Sequence, residues 1–466
     1  MNKKIKILIF IVIIVGLIPL GYKQFLNNTV VKKITDLNDQ GFMVTQQKDD
    51  STYLTTMKTY KIVISNPDTI YQNFLSTFFN NSQKDIVKKF LNTINGGEIT
   101  AEINILNFPV SHKDAINIYF TALPPKATSS KPNLFLNQIK DFLKNRGLGE
   151  SISTNAFGKI ESVRLKNIDK KFDAKKGDVE LRVKDYISKF SKTDFKNYNY
   201  AFLTTNTLFD FTLNTNESKG FSTGYKNLKC DATRENLYNY SMSCNVKNFH
   251  FDMKKYSKNQ TLKLNNILLS TKSALMGDSI NYVFKYRIKG IDFNMASKYG
   301  KNVSTKIDNF VYSGSVKGIN KNIFDELSKI SYNSNKYILK QNYLKILQSL
   351  LNNGFVFQVD HFDVGSVTVN SGSKPITFGQ ITTKVKLEIL KNNLDLSKRF
   401  NPLSIVRYLN LNADITLTKK DFDFIKSLDR RGKMSKIFNL AKEKGDKVQY
   451  KIIFKEGKLT VNDKKL

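Results

Sequence analysis

The chain has 466 residues, 40% of them hydrophobic, and 74 lysines and arginines against 40 aspartates and glutamates give a net charge of +34. That hydrophobic share supports a packed core and argues against disorder. So basic a chain invites a nucleic-acid partner, but only nine of the 74 basic residues are arginine and the lysines run through the whole sequence. Phosphate and base recognition favours the arginine fork. The expectation is therefore no nucleic acid, and a solvated surface that suits anionic lipid headgroups or other envelope polyanions.

The first segment, residues 1–22, reads MNKKIKILIFIVIIVGLIPLGY. Ile7, Leu8, Ile9, Phe10, Ile11, Val12, Ile13, Ile14, Val15, Leu17, Ile18 and Leu20 carry an uncharged run to Tyr22. As a helix it would reach about 24 Å, somewhat short of a ~30 Å hydrocarbon core, and Lys6 and Lys23 can snorkel at its ends. Lys3, Lys4 and Lys6 predict a cytoplasmic N-terminus. A cleaved leader would end in small residues of Ala-x-Ala type, yet the first alanine is Ala101. A retained single-pass anchor is the expectation, with the body in the periplasm; a cleaved leader is the alternative. No later segment holds 18 consecutive apolar residues, so a second crossing is not expected.

Residues 23–157 read as a membrane-proximal α+β segment. The stretch FLNNTVVKKITDLNDQ predicts a helix ending before Gly41, and FMVTQQ and TYLTTMKTYKIVIS flank KDD as a hairpin. Asn66 and Pro67 start a helix through DTIYQNFLSTFF, SQKD opens a second that stops at Gly96 and Gly97, and NLFLNQIKDFLKNRG is a third.

Residues 158–320 are repetitive. A polar residue or glycine followed by an apolar one recurs at Asn167, Asn227, Asn248, Asn266, Gly290 and Asn309, the later spacings matching one strand out and one back. That is an antiparallel meander. Tyr238, Tyr240, Met242, Cys244 and Val246 alternate with polar residues, then the phase slips to Phe249, Phe251 and Met253. A bulge near Lys247 and Asn248 would produce the slip, and repeated bulges would curve the sheet around an apolar trough. Tyr240, Met242, Phe249 and Phe251 are the candidate lining. Cys230 and Cys244 fall on the apolar phase, and an antiparallel register that pairs them also sets Leu228 against Val246 and Ala232 against Met242. A disulfide is expected there, closing about 15 residues for roughly 3 kcal/mol in the chain-entropy treatment; two buried free thiols are the alternative.

Residues 321–466 read as an α+β segment completing the same sheet. SNKYILKQNYLKILQSLLNNG is a helix stopped by Gly354, followed by strands in FVFQVDHF, SVTVNS and QITTKVKLEIL. KMSKIFNLAKEKG reads as a helix with a Met434, Ile437, Phe438 and Ala441 stripe, packed on the sheet or lying in a membrane interface. The chain closes in a hairpin turning at Glu456 and Gly457. The fold class is α+β, dominated by a long curved antiparallel meander with helices packed on it.

The lysine-flanked N-terminus, YSGSVKGINKNIFDELSKI, the series around VKNFHFDMKKYSKNQTLKLNNILLST and the closing YKIIFKEGKLTVNDKKL resemble the YdgA-like family of bacterial inner-membrane-anchored proteins of unassigned function. The resemblance implies a single-pass anchor and a β-rich periplasmic body. It implies no catalytic residues, and neither the helices of 68–95 nor the Cys230/Cys244 pair belongs to it.

No phosphate loop, nucleophile elbow, H-E-x-x-H or C-x-x-C is present. His361 and Asp363 could share one cation, but a third ligand is missing, so neither metal nor cofactor is expected. The expected function is non-enzymatic: an envelope protein that supports maintenance or assembly by holding an apolar ligand, such as a lipid or another envelope component, on the curved sheet. The alternative is a scaffold with a filled interior. No protein partner can be read from the sequence.

Overall fold

The computed structural model describes residues 17–75, 87–88, 91–92, 94–122, 149–174, 177–194, 201–215, 220–236, 238–255, 258–296, 302–323, 325, 336–371, 375–395, 402–428 and 435–465. Contacts divide the chain into two compact units, Met1–Ser191 with Thr204–Phe209, and Lys192–Leu203 with Asp210–Leu466. Both are built mainly from antiparallel strands.

The first unit opens with residues that are helical from 17 to 26, pass through a π turn at Asn27–Val31 and end in a 3-10 turn at Asp36–Gln40. Gly41 stops them in a left-handed conformation, φ +96°, where a Cβ would lie 2.6 Å from the Asn66 carbonyl oxygen. The termination before Gly41 is the one the sequence predicts. Strands β1 (Phe42–Asp49), β2 (Thr55–Ile64), β3 (Glu98–Leu106), β4 (His112–Ala122), β5 (Glu150–Thr154) and β6 (Ile160–Leu165) pair antiparallel in order. Onto this sheet the helical segment lays Tyr22, Leu26, Val30 and Ile34, every fourth residue and so one stripe of a helix. The stripe packs with Tyr60, Ile62, Ala101, Ile103, Ile105 and Ala115.

That packing moves the boundary expected at Tyr22. Instead of closing the apolar run, Tyr22 is only 8% exposed within the core. Its ring lies beside Phe25 and its hydroxyl donates to the Ala156 carbonyl oxygen at 2.9 Å. Leu17, Ile18 and Leu20 are exposed, whereas Ile7, Leu8, Ile9, Phe10, Ile11, Val12, Ile13, Ile14 and Val15 lie outside the described residues. Among the described residues no helix is long and apolar enough to cross a membrane.

Asn66 caps the helix that Pro67 begins, its Oδ1 accepting from the Thr69 amide at 3.1 Å. The rest of the helices expected up to residue 86 and the one expected at 133–147 lie outside the described residues. Strands β7 (Ile168–Ala174), β8 (Gly177–Lys184), β9 (Ile187–Asp194) and β10 (Ala201–Thr215) follow.

The second unit is dominated by β11 (Phe221–Arg234), β12 (Tyr240–Lys255), β13 (Lys258–Met276), β14 (Ser279–Ala296) and β15 (Asn302–Asn320), an antiparallel meander of long strands. After the helix Lys336–Asn353, β16 (Phe355–Val364) and β17 (Ser366–Asn370) both pair with β15. Then come β18 (Ile376–Phe378), β19 (Ile381–Ile389), β20 (Leu409–Thr418), β21 (Lys442–Lys444), β22 (Lys447–Lys455), β23 (Lys458–Val461) and β24 (Lys464–Lys465). β16 pairs with β19, β19 with β20, and β20 with β22. The closing hairpin turns where expected, with Glu456 and Gly457 both at positive φ, as a primed two-residue turn requires.

One expected helix is cut short. Among the described residues of its stretch only Ser435–Phe438 is helical and Lys442–Lys444 is instead a strand on β22, while Met434 lies outside the described residues. Ile437, Phe438, Leu440 and Ala441 pack against Leu417, Phe422, Val448, Tyr450 and Val461, so this stripe covers the sheet and is not free to lie in a membrane interface.

Candidate functional site

Of the recurring positions of the sequence, Asn227, Asn248, Asn266, Gly290 and Asn309 fall on one line of the central meander, whereas Asn167 lies between β6 and β7 of the first unit. Asn227, Asn266 and Asn309 adopt left-handed backbone, φ +50°, +50° and +52°, on β11, β13 and β15. The short polar side chain of asparagine tolerates that region better than an apolar residue does. The ladder on either side is continuous: Lys226 pairs with Asn248, Asn248 with Asn265, Asn265 with Gly290, and Gly290 with Asp308. A register-shifting bulge at Lys247 and Asn248, as the sequence suggested, is therefore not what the strands use. The pairings 226/248 and 228/246 keep one register, and the irregularity sits in the left-handed residues of alternate strands.

Across this line the apolar phase steps by three residues in all five strands. On one side Leu228, Val246, Ile267, Ile288 and Phe310 form a continuous cross-strand row, and on the other Tyr225, Phe249, Leu264, Ile291 and Ile307 form a second. Asn227, Lys247, Asn266, Lys289 and Asn309 between them are all exposed. Asn248 donates through Nδ2 to Asn265 Oδ1 at 2.9 Å, tying the polar line together.

The apolar rows are only partly covered. Val246 and Ile267 are buried, whereas Phe249 and Phe251 are half-buried and Met242 is 41% exposed. Among the described residues the buried clusters of the molecule include none from β11 to β15. Tyr240 and Met242 lie on one side of the polar line and Phe249 and Phe251 on the other, where Phe251 stacks with Phe221 at 6.4 Å between centroids. The sequence missed the aromatic cluster on the neighbouring strands. Phe284 is 6% exposed and lies within 4.9 to 6.5 Å of Tyr286, Tyr312, Tyr282 and Phe357. The alternating YVFKY in β14 was its available signal.

Burial raises the Tyr282 phenol to about 12, with Tyr286 adding to the shift. Tyr240 moves upward for the same two reasons in the same order. Both phenols stay neutral, in keeping with an apolar environment. Tyr238 is different: its hydroxyl donates to Asp325 Oδ1 at 2.7 Å, and that hydrogen bond, ahead of burial, takes it to about 12.

Cys230 stands opposite Cys244 with Cα atoms 4.0 Å apart, and the two sulfurs are bonded. Leu228 pairs with Val246 and Ala232 with Met242, the register read from the alternation.

A polar depression of about 590 Å³ opens across β15, β16, β19 and β20, lined in part by Ser313, Asp360, His361, Lys384, Lys386 and Asp414. It forms where β16 bulges: the register shifts between Val359 and Phe362. Gly314 is required there, because a Cβ would meet the Gln358 carbonyl oxygen at 2.1 Å. His361 Nδ1 lies 3.1 Å from Asp363 Oδ2, and both are solvent-accessible. Among the described residues no group of three histidine, cysteine, aspartate or glutamate side chains could hold a metal ion.

No protein-family model, curated protein or solved structure matches this chain.

Proposed function

We propose that the chain is a membrane-anchored extracytoplasmic protein of the cell envelope whose central meander holds an apolar ligand, a lipid acyl chain being the occupant that fits best. The observation carrying this reading is the partly covered apolar face of five long strands, crossed by an aligned polar line in which Asn227, Asn266 and Asn309 of alternate strands are left-handed. A left-handed residue adds the half-step that returns an alternating strand to the same face after a three-residue interval, and it bends the strand as it does so. Repeated in register, it curves the sheet about one axis and brings the Leu228 and Tyr225 rows to the same side of a trough. Lysines and asparagines remain on its outside. The N-terminal apolar run, its lysine flank and the YdgA-like resemblance support anchoring at the inner membrane with the body in the periplasm, and no constellation supports catalysis.

The scaffold reading is favoured by one observation, the close packing around Phe284, which fills part of the same face with side chains. Native mass spectrometry of the purified full-length chain separates the two. A co-purified acyl lipid that is lost on Phe251→Asp, with the far-ultraviolet circular dichroism unchanged, supports the ligand. A lipid-free protein that excludes added fatty acid supports the scaffold.

A further inference from the structure

Three hairpin turns and the start of the N-terminal helix meet at one end of the first unit, and the topology requires it. The helix stops at Gly41 and β1 returns along it, so the β1–β2 turn at residues 50–54 comes back beside Tyr22. Thr55 pairs with Leu106, and His112 with Thr154, so the β3–β4 and β5–β6 turns lie at the same end. Hydrogen bonds hold them together there. Lys23 Nζ donates to the Thr52 carbonyl at 3.1 Å, Asn107 Nδ2 to the Tyr53 carbonyl at 2.8 Å, and Tyr22 Oη to the Ala156 carbonyl at 2.9 Å.

Turn tips facing water ordinarily carry glycine, proline, asparagine, aspartate or serine. These have such residues, Asp50, Ser51, Asn107, Pro109, Asn155 and Gly158 among them, and in addition expose large apolar side chains: Tyr53 is 46% exposed, Leu54 49%, Val110 47% and Phe157 71%, beside Leu17 at 56% and Leu20 at 51%. Together they make a rim of apolar groups at the end from which the chain continues back into the apolar residues 7–15. Of the acids at this end, Asp49 pairs with Lys58 at 3.3 Å and Asp50 with Lys48 at 2.5 Å, while Asp114 and Glu161 are exposed alongside Lys113 and Lys159.

We propose that this end of the first unit is a membrane-contact surface, seated in the headgroup and acyl boundary of a bilayer. The inference rests on the anchored reading and adds to it that the folded body itself touches lipid. Length supports the same conclusion. With Tyr22 committed to the core, the uncharged residues 7–20 would reach only about 21 Å as a helix, well short of a ~30 Å hydrocarbon core. Apolar side chains sunk about 5–10 Å into the boundary offset such a mismatch.

The native cysteines are bonded to each other, so a single introduced cysteine can carry an environment-sensitive fluorophore. Full-length chains with Phe157→Cys, Leu54→Cys or Asn95→Cys are reconstituted into phosphatidylcholine–phosphatidylglycerol vesicles containing brominated acyl chains. Asn95 is exposed at the opposite end, between β2 and β3. The expected result is a blue shift and several-fold stronger bromine quenching at 157 and 54 than at 95, reduced when Tyr53→Asp is added. Equal or absent quenching at the three sites in a chain that resists alkaline extraction overturns the contact surface and leaves the anchor standing. Selective quenching at 157 and 54 in a chain that alkali releases supports the surface and overturns the anchor.

Discussion

The N-terminal sheet of the first unit and the central meander of the second are both antiparallel and both alternate, yet they dispose of their apolar faces differently. Over β2 and β3 a helix lays down Tyr22, Leu26, Val30 and Ile34, and the strand residues beneath it, Tyr60, Ala101, Ile103 and Ile105, are at most 2% exposed. Over β11 to β13 no such stripe lies among the described residues, and Met242 keeps 41% of its surface. The difference is one of covering, since strand composition is similar in the two. Stability should therefore concentrate under the helix, and the capacity to take up something apolar should concentrate in the meander.

Truncation breaks or sharpens that contrast most directly. Leu26→Ala, at a site 1% exposed, should cost about 2–5 kcal/mol, as large-to-small changes in packed cores do. Met242→Ala should cost only about 1 kcal/mol, because 41% of that residue's surface stays exposed. Urea denaturation of the two variants measures both; equal losses would mean that the meander is as densely packed as the first core and would favour the scaffold.

Opening the Cys230–Cys244 bond should be the next largest effect, roughly 3 kcal/mol in the chain-entropy treatment, confined to the second unit. Alkylation of the denatured, unreduced protein checks the bond itself. No modified cysteine is expected, and two would refute it.

Substitution at the left-handed line should be smaller. Asn266→Ala places an ordinary side chain at φ +50° and should cost about 1–2 kcal/mol, whereas Asn266→Gly should be close to neutral. If Asn266→Ala also lowers lipid retention, curvature and binding are linked as proposed.

Proton linkage gives the smallest effects, with opposite signs at the two ends of the pH scale. Burial lowers the His112 pKa, and the ring lies 3.5 Å from Tyr22 Oη beneath the helix. Its contribution is present above the ordinary value of about 6.5 and is lost as pH falls through the lower folded value, so the first unit should weaken in acid. Tyr282 is raised, to about 12. Its contribution is present below about 10 and is lost as pH rises toward 12, weakening the meander in base. His112→Phe and Tyr282→Phe should each flatten one limb of stability against pH.

Much of this architecture was legible in local chemistry. Gly41, Gly354 and the Asn66–Pro67 pair mark element ends because backbone conformation and capping are decided within a few residues. Alternation located the strands, and the matching phases of Leu228, Cys230 and Ala232 with Met242, Cys244 and Val246 supplied a register. The KMSKIFNLAKEKG stretch misled, since a helical stripe and a short turn followed by a strand share apolar residues at similar spacing, and pairing with β22 decides between them. The polar depression around His361 was invisible as well, because Ser313, Lys384 and Asp414 are brought together only by strand pairing.

Sequence by itself determined the β-dominated class, the positions of the recurring asparagines and the apolar character of residues 7–20, all properties of composition and short-range period. Tertiary structure decided that the asparagines of four strands align with Gly290 of a fifth, that Tyr22 belongs to a core rather than to the apolar run, and that three apolar turns gather at one end of a sheet. Each of those depends on which strand lies beside which, and pairing between residues tens of positions apart leaves no local trace in the chain.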